Sequence, residues 1–132
     1  MLLGGLAVRF GPGLIATNRV VRNYTRLLDA SFAGDLDRVA ELCTERRVAA
    51  FPLRTAPEGG VVGLPRGINK NFQVWLEGDE VRLCPTNRVG PVYRFRYENG
   101  DWRFDGPAGI LRPGGVFLPL PEGRSTEEID EP

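Results

Sequence analysis

Residues 71–106 read NFQVWLEGDEVRLCPTNRVGPVYRFRYENGDWRFDG, and their pattern is that of four short antiparallel strands. Val92-Tyr93-Arg94-Phe95-Arg96-Tyr97 alternates with a period of two, as a half-buried strand does. Glu98-Asn99-Gly100-Asp101 follows. Asn-Gly is the strongest short hairpin signal, because a type I′ turn needs positive φ at both central residues. With Asn99 and Gly100 in those places, Tyr97 faces Trp102, Arg96 faces Arg103 and Phe95 faces Phe104. The aromatics then share one face, and Arg94, Arg96 and Arg103 share the other. A slip of one residue would mix the two faces, so pattern and turn specify one register. Each aromatic cross-strand pair adds roughly 0.2–1 kcal/mol beyond burial.

The preceding hairpin passes the same test. With Gly78-Asp79 as its turn, Leu76 faces Val81, Val74 faces Leu83 and Phe72 faces Pro85. Gln73, Trp75, Arg82 and Cys84 share the opposite face, so Arg82 and Arg96 are expected to line a common outer surface, with the register between the hairpins left open by the Thr86–Pro91 link. Pro85 and Pro91 close strands, where a missing N–H does least harm.

Upstream, Val20, Val21, Tyr24, Leu27, Leu28 and Phe32 recur at three- and four-residue spacing, which predicts an amphipathic helix over 19–33 with Asn18 as its N-cap. Gly34 stops it. Asp35 caps a second helix, with Leu36, Val39, Ala40, Leu42 and Cys43 as its apolar stripe and Arg46-Arg47 near its C-terminus. Val48–Leu53 is expected to be a short strand ended at Pro52, and residues 54–67 a Gly/Pro-rich loop in which Gly60–Leu64 pairs with the sheet edge. Met1–Thr17 is an apolar arm broken at Pro12. Pro107–Pro121 is Pro/Gly-rich yet carries Ile110, Leu111, Val116, Phe117, Leu118 and Leu120, too apolar for a free linker, so a groove on this molecule or another should bind it. An acidic tail follows from Glu122 to Pro132. The expected organisation is an N-terminal arm (1–17), an α+β domain (18–106) and a C-terminal arm with tail (107–132). In that domain a helix pair packs on a curved antiparallel sheet.

The 132 residues suit one domain, and 42% hydrophobic content supports a modest core. Charge balances at 17 against 17, so no polyelectrolyte role is implied. The charge is segregated all the same: Arg9, Arg19, Arg22 and Arg26 precede the first acid, Asp29, and acids dominate the tail. Cys43 and Cys84 form no CxxC and are expected to be reduced and buried. No apolar run approaches the roughly 20 residues of a membrane-spanning helix. The start lacks the charged opening and long apolar run of a secretory signal. Its acid-poor, Arg-containing character has a faint transit-peptide flavour, so organelle matrix or cytoplasm is favoured over secretion.

A helix with Tyr24, Leu27, Leu28 and Ala30 leads through Gly34-Asp35-Leu36 into a second helix ending at Leu42-Cys43-Thr44. A short strand at Val48–Phe51 and a meander with an Asn-Gly turn before Trp102-Arg103-Phe104 complete the pattern. Over roughly residues 19–106 the chain resembles the nuclear transport factor two-like superfamily. The resemblance implies a curved sheet wrapped round helices as a cone with a pocket. The superfamily holds ketosteroid isomerase-like and polyketide cyclase-like enzymes as well as non-catalytic modules and assembly subunits. The chain departs at 56–70, where the third helix would lie and Gly and Pro accumulate.

The absence of histidine removes Ser-His-Asp and Cys-His chemistry and His-ligated metals. An isomerase-like site would need a carboxylate base and a phenol donor in one dry pocket, with Tyr24 as the phenol and Asp29, Asp35 and Asp37 as nearby acids. Asp35 and Asp37 read instead as helix-start residues. No cofactor or metal is expected. Tyr24, Tyr93, Phe95, Tyr97, Trp102 and Phe104 are the candidate lining of a ligand pocket, with plain core as the competing reading. Arg82, Arg94, Arg96, Arg103, Phe117 and Leu118 are the candidate partner surface. Acidic protein or lipid headgroups suit those arginines better than nucleic acid, whose usual aromatic companions would lie on the wrong face. Two functions stand open. One is a non-catalytic accessory subunit of a larger protein assembly that binds through its arms. The other is small apolar-ligand binding, or isomerase- or cyclase-like catalysis, in the cone.

Overall fold

The structure is a computed structural model that describes residues 2–120, with side chains from residue 13 onward. The acidic tail expected at 122–132 lies outside the described residues. Helices α1 (Leu2–Ala33), α2 (Leu36–Leu42) and α3 (Glu45–Ala50) precede strands β1 (Gln73–Glu77), β2 (Glu80–Cys84), β3 (Gly90–Glu98), β4 (Asp101–Arg112) and β5 (Val116–Pro119). The class is α+β, and the five strands form one antiparallel sheet in sequence order that curls around α1.

Both hairpins take the expected registers. Leu76 pairs with Val81 and Val74 with Leu83, although the pairing stops at Gln73–Cys84 and leaves Phe72 outside it. Tyr97 pairs with Trp102, Arg96 with Arg103 and Phe95 with Phe104. Asn99 and Gly100 have φ of 51° and 84°, as a type I′ turn requires. Beyond Phe104 the register shifts: Phe95 faces Phe104, yet Tyr93 faces Pro107, so β4 carries an extra residue at Asp105-Gly106. Gly106, with φ of 94°, supplies the backbone that this bulge needs. The bulge bends β4, and its second half, Gly109–Arg112, pairs with β5. The apolar stretch after Gly106 is therefore built into the sheet, which gains a fifth strand over the expected four.

Two other elements differ from expectation. First, α1 begins at Leu2 and runs through Pro12, so Asn18 lies inside the helix and not at its cap. The stripe of Ala16, Val20, Tyr24 and Leu27 continues back through Gly13, whose Cβ position lies 3.8 Å from the Leu76 side chain of β1. Second, the strand expected at Val48–Leu53 is replaced by α3. Thr44, in extended backbone, accepts the Arg47 N–H at 3.3 Å, and Glu45 occupies the first turn. Arg46 and Arg47 thus open α3 and do not close α2, which ends at Leu42. In the loop that follows, Val61 bridges Thr55 and does not join the sheet edge.

The core lies between α1 and the sheet's concave face. Val20, Tyr24 and Leu27 meet Val81, Leu83, Phe95 and Phe104, with Val39 of α2 and Val61 of the loop closing one end. A smaller cluster occupies the other face, where Cys84, Val92 and Ala108 are covered by Trp75, Leu111 and Phe117. Polar bonds fix α1 over the second hairpin. Arg19 donates Nε and Nη2 to the two carboxylate oxygens of Asp101, at 3.0 and 3.2 Å. Asn23 Nδ2 donates to Asp101 Oδ1 and to the Trp102 carbonyl. No helix among the described residues is long and apolar enough to cross a membrane.

Candidate functional site

The six aromatic candidates divide. Tyr24, Tyr93, Phe95 and Phe104 are buried together inside the curl. Phe95 meets Tyr24 and Phe104 edge-on, with centroids 6.4 and 5.7 Å apart, and Tyr93 lies 5.6 Å from Phe104. These are the spacings of packed aromatic cores. The Tyr24 hydroxyl donates to the Gly67 carbonyl at 2.6 Å, and burial raises its pKa far above the usual phenol value. Tyr97 and Trp102 form an edge-on pair at the rim, where Tyr97 is 62% exposed. Of the candidate acids, Asp29 and Asp37 are exposed on the helices, and Asp35 accepts the Arg38 N–H as the cap of α2.

The arginines predicted on the outer face do come together, around carboxylates that the sequence reading did not single out. Glu80, buried on β2, accepts from Arg82 Nε at 2.8 Å, Arg94 Nε at 3.2 Å and Arg96 Nη2 at 3.3 Å. Arg96 also pairs with Asp105 at 3.1 Å. The Asp105 side chain is wholly buried and is held further by Arg46 and by the Thr44 hydroxyl. Arg103 stands apart from this network and donates to backbone carbonyls of Glu41, Glu98 and Asn99. Glu80 shares the alternation of Arg82, but its place opposite Arg96 rests on the register between the two hairpins, which the 86–91 link hides in the sequence. Asp105 was within reach, because the Asn-Gly register that sets Phe104 opposite Phe95 sets the next residue of β4 on the face of Arg103, opposite Arg94.

Arg47 is also buried. Its guanidinium lies 4.5 Å from the Phe51 ring centroid and 5.7 Å from that of Phe104, and it donates to the Gly63 carbonyl at 3.2 Å. It pins the 51–64 loop to the sheet. Cys43 and Cys84 are free, buried thiols on different elements, and burial pushes Cys43 up to about 12. Among the described residues no group of three His, Cys, Asp or Glu gathers as a metal site. The converging outer-face groups are guanidiniums and carboxylates paired with one another; Glu80, Arg94 and Asp105 are buried, while Arg82 and Arg96 keep part of their side chains at the surface.

On β5, Phe117 and Leu118 point to opposite sides. Phe117 lies over the sheet's outer face, 5.1 Å from the Arg82 guanidinium, while Leu118 and Val116 are 46% and 54% exposed. Beside Phe117's cluster runs a trough of about 540 Å³ walled by Trp75, Val89, Leu111 and Pro113. Scans against protein-family models and searches of curated proteins and of solved structures found no match to this chain.

Proposed function

We propose that the chain is a non-catalytic accessory subunit of a larger protein assembly, with a fold similar to the nuclear transport factor two-like superfamily, and that it meets its partners through its terminal elements. The observation that carries this reading is the filling of the concave side. Where a cone of this kind would hold a ligand, Tyr24, Phe95 and Phe104 are close-packed, and the Tyr24 hydroxyl is engaged by Gly67. Apolar surface is exposed at both ends, where Leu14 and Ile15 on α1 are 61% and 71% exposed and Val116 and Leu118 lie on β5, as well as at Phe32, Leu76, Val89 and Tyr97 between them. At 1.5 Å per residue α1 is roughly 48 Å long, and among its described side chains, from residue 13 onward, burial begins at Ala16. The partly exposed guanidiniums of Arg82 and Arg96 beside Glu80 add charge for an acidic partner.

The test is the native mass of the protein taken from its source, by size separation with light scattering. Co-elution with other chains at a mass far above that of one chain is the expected result. A clean monomer or dimer overturns the proposal and returns attention to ligand binding in the aromatic interior.

A further inference from the structure

The outer-face trough has an apolar end and a cationic end. Trp75, Val89, Leu111 and Pro113 wall the first. Gln73 and Arg88 lead from it into a second depression of about 570 Å³ bordered by Lys70, Asn71 and Asn87. Lys70 and Arg88 are exposed, and neither side chain meets a carboxylate among the described residues. The apolar end is bordered by an acid, since Glu77 accepts the Trp75 indole N–H at 3.2 Å. An occupant therefore needs an aliphatic group for the Trp75 end and negative charge for the Arg88–Lys70 end.

The segment after Leu120 has that composition. Residues 121–132 read PEGRSTEEIDEP, with Ile129 as the sole large aliphatic residue, set between Glu127-Glu128 and Asp130-Glu131. It leaves from the right place. The Leu120 N–H donates to the Ala108 carbonyl at 2.9 Å, and Ala108 belongs to the same outer cluster as Trp75 and Leu111. Leu120 follows β5, and from β5 to β1 is four strand spacings, about 19 Å. The nine residues from Leu120 to Ile129 span up to roughly 30 Å when extended. Tethering also raises the effective concentration to about millimolar, so weak contacts suffice.

We propose that this trough receives the chain's own 127–131 segment, with Ile129 against Trp75 and Leu111 and the Glu127-Glu128 carboxylates toward Arg88 and Lys70. The contact is independent of the subunit reading, because it is made within one chain. It gives the outer face a built-in occupant that a partner of the same acidic–aliphatic chemistry would have to displace.

Trp75 reports the contact directly. The chain has two tryptophans, so Trp102→Phe leaves Trp75 as the only indole. In that full-length background, quenching of Trp75 by neutral acrylamide is measured for the parent, for Ile129→Ser, and for Lys70→Glu/Arg88→Glu. The parent indole should be shielded, and each variant should lose that shielding. Combining Lys70→Glu/Arg88→Glu with Glu127→Lys/Glu128→Lys should restore it. Quenching that is identical in parent and tail variants overturns the proposal. So does shielding that grows with protein concentration, which would assign the trough to a second copy. Circular dichroism on each variant guards against unfolding, and the charge-swap rescue cannot arise from a variant that fails to fold.

Discussion

Asp101 opens β4 one residue after the Asn99-Gly100 turn, and three groups converge on it. The paired hydrogen bonds from Arg19 come first in holding its carboxyl down to about 2, against 3.8 for an ordinary aspartate, with Asn23 and the Trp102 N–H assisting. The sign follows directly. A carboxylate whose folded value is depressed stabilises the fold fully above its unfolded value, and that contribution is lost as pH falls through the folded one. Stability should thus decline between about pH 4 and pH 2 in the parent. Asp101→Asn should flatten that limb. At neutral pH the variant should cost about 1 kcal/mol or less, because the Arg19 side chain is 41% exposed and water screens the pair. Urea midpoints measured from pH 7 to pH 2 check this, and an unchanged acid limb would assign the titration to another group.

At the scale of elements, what was legible in the sequence and what was not separate by the range of the contacts involved. Both hairpins were readable because a turn and its flanking alternation lie within a few residues, and the face shared by Arg82, Arg94 and Arg96 followed from them. The α3 helix was not read, although Thr44-Glu45 is a cap signal, because VAAFPL also suits a strand. The decision rests on Thr44, whose hydroxyl reaches Asp105 across 61 residues while it accepts the Arg47 N–H. Thr44→Val should therefore remove a cap and a bond to a buried carboxylate, at a combined cost of about 2 kcal/mol. Thr44→Ser should recover most of it, and chemical denaturation of the three proteins decides. The β5 strand was hidden for a similar reason. Phe117 fits over the sheet only because Gly109 has no side chain: an added Cβ would meet the Leu118 carbonyl and stand 2.6 Å from the Phe117 ring. Gly109→Ala should displace β5 at about 1–3 kcal/mol, the range of overpacking. Faster amide exchange at Phe117 and Leu118, with the β2–β3 amides unchanged, would mark that local release. The aromatic candidates show the limit of face assignment: the shared face was readable, but whether it lined a cavity or filled one depended on how closely α1 seats.

The whole molecule sets a short, curled sheet against one long helix, and the two contribute unequally. From Ala16 onward α1 is a core element, with Val20, Tyr24 and Leu27 fully buried. Just before it, Leu14 and Ile15 are 61% and 71% exposed. That division separates stability from assembly in a way substitution can test. Leu14→Ser with Ile15→Ser removes apolar surface that folding does not bury, so the melting temperature should barely move, with each change within about 0.5 kcal/mol. Leu27→Ala empties a core position and should cost about 3 kcal/mol. If the exposed turn of α1 is where partners dock, the Leu14/Ile15 variant should keep its thermal transition and lose co-eluting chains in the native-mass measurement. The Leu27 variant, assayed below its lowered transition, should retain them. Retention by the Leu14/Ile15 variant would move the contact to β5 and the arginine surface. Loss by both, with a lowered transition in both, would mean that the first turns of α1 are part of the fold and not its means of attachment.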